Sequence, residues 1–283
     1  MHLRWHWLLV LVIAAGCGGP AKTTVDLKGQ AISLNESGYL YYRQSRWELA
    51  KSKFEQALTY NRLIDRRSGI ASNLNNLGVI AQEQGDLDQA ATYFQEALAV
   101  NRALHTPEGI SETLNNLGLA YQSQGRLREA EAAYLEALDN ARQLPPGPLL
   151  ALSLTHLGDV ARARQDYMLA LNYYHQALKA DEGGKDRRGR AMRAERLGRT
   201  FLDLKDYDRA TLYLKQALED FRSLQDTDGI AAVLKSMTLV ALARGDHKQA
   251  RLNAALLLGI YQARGQEQAA RELEALLQRA GGS

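Results

Sequence analysis

Glycine recurs at Gly38, Gly78, Gly118, Gly158 and Gly198, forty residues apart each time. Twelve residues after each stands an alanine (Ala50, Ala90, Ala130, Ala170, Ala210), and Ala250 carries that column into a sixth register. Seven further on come Ala57, Ala97, Ala137, Ala177, Ala217 and Leu257. Between the two small columns runs a larger one, Phe54, Phe94, Tyr134, Tyr174 and Leu214, relaxing to Ala254. Six registers without an insertion predict six stacked units, at 31–70, 71–110, 111–150, 151–190, 191–230 and 231–270. One such unit cannot cover its own apolar faces, so neighbours must share a continuous core.

Each unit reads as two helices. Leu74, Leu77 and Ala81 keep helical spacing up to Gln84. Gly85 then suits the end of one helix and Asp86 the N-cap of the next, which carries Leu87, Ala90, Ala91, Phe94, Ala97 and Leu98. The small columns are expected where helix axes approach closely, because a large side chain there would be overpacked. The aromatic column is expected to fill the wider gap one turn later. Pro107, Pro145, Pro146 and Pro148 fall at unit junctions, where a helix can start but not continue. The stretch 181–190 reads as the softest junction. Residues 266–280 form one more amphipathic segment, with Leu273, Leu276 and Leu277 on one side and Glu267, Arg271 and Glu274 on the other. That pattern suits a terminal cap.

These columns resemble the tetratricopeptide repeat over about 240 residues: Leu/Gly in the first helix, Ala in the second, an aromatic four on and Ala three after that. The usual period of that family is 34, and its proline near the end of the second helix is replaced here by Arg62, Arg102, Arg142, Glu182 and Arg222. The second helix is therefore expected to run on for another turn or more. With Asn-Leu-Gly at 76–78 and 116–118, the chain is similar to the long-repeat subclass found in kinesin light chains. The resemblance implies an all-α fold, a right-handed α-solenoid of six helix–turn–helix units closed by a capping helix.

The first residues follow a different logic. Arg4 and the amino terminus are positive, and Trp7 to Ala15 is an apolar run too short to span a bilayer, which takes about 20 residues. Such a run before small residues reads as a signal peptide over 1–16. Ala14-Ala15-Gly16-Cys17 resembles the bacterial lipobox, whose cysteine is acylated and becomes the first mature residue. Two or three acyl chains, each buried CH₂ adding about 0.8 kcal/mol, would hold durably. A lipidated Cys17 and a flexible tether are thus expected over 17–30. Gly18, rather than the Asp that resembles an inner-membrane retention signal, points to a lipid-anchored protein of the bacterial envelope, on the outer membrane and facing the periplasm.

Composition narrows the function further. Across 283 residues Lys+Arg exceed Asp+Glu by 35 − 32 = 3, too little for the basic field of a dedicated nucleic-acid binder. A single cysteine excludes an intramolecular disulfide framework, a Cys-based zinc site and an iron–sulfur cluster. His105, His156, His175 and His247 show no metal-ligand spacing, and no HExxH or GxSxG occurs. No catalytic residues, metal, cofactor or small-molecule substrate are expected. The first helices are expected to line a concave groove, as the resemblance implies. Asn35, Asn75 and Asn115 recur at one position there, with Asn76 and Asn116 at the next. An amide both donates and accepts, so this ladder could pair with the main chain of an extended peptide; descent from one ancestral unit would leave the same pattern. Units 4 to 6 place His156, Arg162, Arg196, Arg199 and Lys235 on that face, suiting an acidic partner, unless nearby Asp159, Glu195 and Asp203 compensate them. Tyr39 and Tyr42 are expected to face the groove and Tyr41 to pack.

The sequence therefore implies a membrane-anchored scaffold that holds a protein or peptide in its trough, with envelope assembly as its setting because lipoprotein pilotins carry similar repeats. The alternatives are a regulator that recruits peptidoglycan-processing enzymes and, remotely, an enzyme in its own right.

Overall fold

The computed structural model describes residues 24–181 and 186–281. The signal segment, Cys17 and residues 182–185 of the junction expected to be soft lie outside the described residues. Every element described is helical. The order is α1 Thr24–Arg43, α2 Trp47–Leu63, α3 Arg67–Glu83, α4 Leu87–Ala103, α5 Pro107–Ser123, α6 Leu127–Ala141 and α7 Pro148–Ala163. It continues with α8 Tyr167–Ala180, α9 Arg187–Asp203, α10 Tyr207–Ser223, α11 Thr227–Ala243, α12 His247–Ala263 and α13 Glu267–Gly281.

Most helices are 17 residues long and most links are three, so the forty-residue period is two twenty-residue halves. The link has one recurring geometry. Gly85 takes φ 81°, its N–H bonds to Gln82 O and the N–H of Asp86 to Ala81 O, the paired bonds that close an α-helix through a left-handed residue. Asp86 then accepts from the Gln89 N–H and caps the next helix, so one residue closes α3 and opens α4. Asp166, Asp206, Asp226 and Asp246 cap in the same way. Ser45, Asp65, His105, Gln165, Lys205 and Gln225 hold the left-handed position without being glycine.

This closure corrects two expectations. The second helices run through Arg62, Arg102 and Arg222 but stop one residue later, not a turn later, because the left-handed residue follows at once. In α6 and α8 they stop sooner, at Ala141 and Ala180. The helix pairs also fall four residues earlier than the expected cuts: α3 starts at Arg67 and α5 at Pro107, so cuts at 70/71 and 110/111 pass through a first turn. Likewise Thr24–Gln30, expected to be tether, forms the opening turns of α1, fixed by the wholly buried Ala31 that follows.

The glycine column has a direct steric cause. A Cβ on Gly78 would stand 2.5 Å from the Phe94 ring and one on Gly118 2.4 Å from the Tyr134 ring, and Gly38, Gly158 and Gly198 meet Phe54, Tyr174 and Leu214 alike. The large residue therefore presses on the bare glycine itself instead of filling a separate gap one turn later. A second glycine column lies at the unit junctions: Gly69, Gly109 and Gly229 admit Asn61, Asn101 and Phe221 from the preceding unit.

The seam between units follows from that second column. Asn61 donates to Asn73 (2.7 Å) and Asn101 to Thr113 (3.1 Å), each buried and twelve residues apart. At the equivalent positions Asp181 and Arg193 form a buried ion pair, and Phe221 and Val233 share one core cluster. Each odd-numbered helix from α1 to α11 packs on its own pair mate, and successive odd helices also touch one another. The odd helices therefore line the inner side of the curve and the even ones the outer side. Leu273 of α13 is buried against α11 and α12 residues Leu234, Ala254 and Leu257, which closes the stack.

One substitution should act with opposite signs at two glycines. Gly118→Ala drives a methyl into Tyr134 and should cost roughly 1–3 kcal/mol. Gly259→Ala, inside α12 with nothing within 4 Å of the new Cβ, should add about 0.5–1 kcal/mol. Thermal or urea unfolding of the two variants beside the parent measures both.

Candidate functional site: the face of the odd helices

The odd helices position their inner residues at forty-residue intervals, so equivalent side chains of successive units come within hydrogen-bonding reach. In units 1 to 3 this produces an amide seam. Asn35 Oδ1 accepts from Asn73 (2.8 Å) and Asn76 (3.1 Å), while the Tyr39 hydroxyl donates to Asn76 Oδ1 (3.0 Å). Asn116 donates to Asn75 Oδ1 (3.1 Å), and Asn115 donates to Ser153 Oγ (2.9 Å) and Ser111 O (3.0 Å). Asn75, Asn76 and Asn115 are buried. The amide ladder expected to grip a peptide backbone thus turns into the protein, because neighbouring odd helices lie close enough for each amide to meet the next unit.

Units 4 to 6 solve the same problem with charge. Arg196 Nε bonds both oxygens of Asp159 (2.8 and 3.0 Å), and the Tyr174 hydroxyl donates to Asp159 Oδ1 (2.8 Å). Arg162 Nε bonds Asp203 Oδ2 at 2.7 Å. Glu195 accepts from Ser236 Oγ at 2.9 Å and has Arg199 at 3.7 Å; burial pushes its carboxyl up from the usual range. Arg162 and Arg196 are therefore compensated, and the compensated reading of this half holds for them. Arg199 and Lys235 are exposed, and Lys235 makes no ion pair among the described residues. Asp181 was not read from sequence as a partner of Arg193, although the column 61, 101, 141, 181 was open to view.

The tyrosine expectations divide. Tyr39 lies edge-on to Phe54 (centroids 5.4 Å) and is 46% exposed on the inner face. Tyr42 packs on Trp47 (5.3 Å), and burial, followed by the Glu83 carboxylate beside its hydroxyl, raises its pKa. Tyr41 lies half-buried under the Arg46 guanidinium (5.0 Å).

Two hollows open on this face at equivalent places 80 residues apart. One, of ≈ 250 Å³, is lined by Tyr39, Ser72, Asn75, Asn76, Glu108 and Glu112. Glu108 and Glu112 lie on one helical face with no cation partner among the described residues. Such a like-charge pair costs about 0.2–0.5 kcal/mol, and partial burial followed by Glu108 repulsion raises the Glu112 pKa. The other, of ≈ 260 Å³, is lined by Pro148, Leu149, Leu152, His156 and Met192, with Arg196 at its edge. The His156 ring stacks on Tyr134 (4.7 Å, 18° between planes), and its Nε2 is buried without a hydrogen-bond partner. Burial lowers its pKa to about 4.

That depressed imidazole makes stability pH-dependent. The unfolded chain takes up this proton below its ordinary 6.5 while the folded protein resists until about 4, so stability falls as pH drops through that window. Between pH 7 and pH 4.5 the parent should lose roughly 2–3 kcal/mol more than His156→Asn. Urea unfolding of both proteins at the two pH values measures the difference.

The succession of helix pairs agrees with what the comparisons find. The tetratricopeptide repeat family profile matches residues 29–103, 69–143 and 149–223. Among curated proteins none matches. Solved structures do: BtubC (BKLC) from P. vanneervenii is 21% identical, with a TM-score of 0.63 over 84% of this chain and 92% of that one. The pilF protein of Pseudomonas aeruginosa is 20% identical, with a TM-score of 0.61 over 88% and 98% of the two chains. A Rap protein complexed with competence and sporulation factor is 14% identical, with a TM-score of 0.67 over 89% and 75%. At these identities the likeness is one of fold. The family profile covers most of the described helices, and its repeats are the helix pairs built above: the chain belongs to the tetratricopeptide repeat family.

Proposed function

We propose that this protein is a scaffold that binds an extended or helical segment of a partner protein along the inner face of its odd helices. One observation carries the reading: with the seams between units already bonded, that face still presents Tyr39, Ser72, Glu112, Leu152, Arg199 and Lys235 to solvent beside two open hollows. A surface that mixes exposed aromatic, aliphatic and charged groups in concave relief suits recognition by contact. Among the structural neighbours, the Rap protein is complexed with competence and sporulation factor, which is consistent with a ligand held by this fold.

The anchoring part of the reading rests on sequence alone. Cys17, behind a short apolar run and a positive start, is the residue for a lipid anchor, which would hold the scaffold at the bacterial envelope, on the outer membrane and facing the periplasm. A role in envelope assembly follows as the setting in which a tethered adaptor of this kind works.

Two experiments test the two halves. A photo-crosslinking residue at Ser72 or Leu152 should give partner adducts in cells, whereas the same residue at Leu212, exposed on an even helix, should give none; equal labelling at all three would refute groove binding. Mass spectrometry of the mature amino terminus should find an acylated Cys17, and Cys17→Ser should move the protein from the membrane to the soluble fraction. An unmodified Cys17 would remove the anchor without touching the groove.

A further inference from the structure

The two hollows occupy the same place in the repeat, 80 residues apart, yet their walls have opposite chemistry. Ser68, Ser72, Glu108 and Glu112 of the first become Pro148, Leu152, Arg188 and Met192 in the second. From that contrast, and resting on the groove reading above, we propose that the partner segment carries a lysine or arginine that seats in the hollow between α3 and α5 and a large aliphatic residue that seats in the hollow between α7 and α9.

The basic requirement comes from charge. Glu108 and Glu112 are exposed carboxylates one helical turn apart, with no cation beside them among the described residues, while Tyr39 stands open on the same hollow. A bound cation would relieve their mutual repulsion and meet an aromatic ring as well. The aliphatic requirement comes from exclusion. Every cation around the second hollow is already engaged: Arg193 with Asp181, Arg196 with Asp159, Arg188 with Asp226. No free positive charge is left there for an acidic side chain. Leu149, Leu152, Met192 and Pro148 form the wall, and His156, neutral at physiological pH because burial holds its pKa near 4, adds no charge. The space, ≈ 260 Å³, readily admits a large aliphatic side chain.

The probe is a phage-displayed library of random twelve-residue peptides, panned against the full immobilised protein. Enriched peptides should share one Lys or Arg and one Leu, Met or Ile at a fixed separation. By fluorescence anisotropy, Glu112→Lys should weaken the consensus peptide about tenfold or more, and a peptide lacking the basic residue should not notice that change. Leu152→Asp should do the same for the aliphatic residue. Both positions are solvent-exposed; far-UV circular dichroism checks folding, and Met192→Ser replaces Leu152→Asp if that variant melts. Enrichment of acidic peptides, or of peptides indifferent to both substitutions, would overturn this assignment while leaving groove binding in place. No enrichment at all would overturn both.

Discussion

A large side chain laid on a bare glycine backbone sets how closely the two helices approach in units 1 to 5. Gly38, Gly78, Gly118 and Gly158 take the rings of Phe54, Phe94, Tyr134 and Tyr174 from sixteen residues away, and Gly198 takes Leu214. The alanines at 50, 90, 130, 170, 210 and 250 are wholly buried at the crossing, where a larger residue would be overpacked. The left-handed turn does the complementary work along the chain. It ends most helices after about the same number of residues and, where Asp follows as at Asp86, hands the next its N-cap, so similar hairpins stack with little adjustment.

Between units the chain is freer, and there its sequence diversifies. The position that joins the end of one unit to the start of the next is Asn61 with Asn73, then Asn101 with Thr113, then Asp181 with Arg193, then Phe221 with Val233. Amide pair, ion pair and apolar contact fill one geometric slot. Each joins its two helices by a contact of its own kind, and removing one partner of the buried ion pair would cost about 3–5 kcal/mol. The same change of idiom runs along the inner face, from amides in units 1 to 3 to paired charges in units 4 to 6. That is why the two hollows, built on one template, differ so sharply in what they can receive.

Sequence reading reached the fold because the features that specify it are local or strictly periodic. The forty-residue columns, the Gly85-Asp86 break, the prolines at the first positions of α5 and α7 and the amphipathic cap are all visible in the letters. It misjudged the asparagines because a column of amides looks the same whether it faces a ligand or the next unit. Asn115 is 1% exposed, a fact that depends on how α5 packs against its neighbours, α7 among them. It left the cations of units 4 to 6 undecided for the same reason: Arg162 and Asp203 lie 41 residues apart, and only stacking brings them to 2.7 Å.

The sequence by itself therefore determined the repeat, its helical content and its turns, since periodicity and propensity are properties of neighbouring residues or of one register. Tertiary structure alone decided which polar groups are spent on the seams and which remain on the inner face. Hydrogen bonds and ion pairs act over about 3 Å, and the distances between units exist only once the hairpins have stacked.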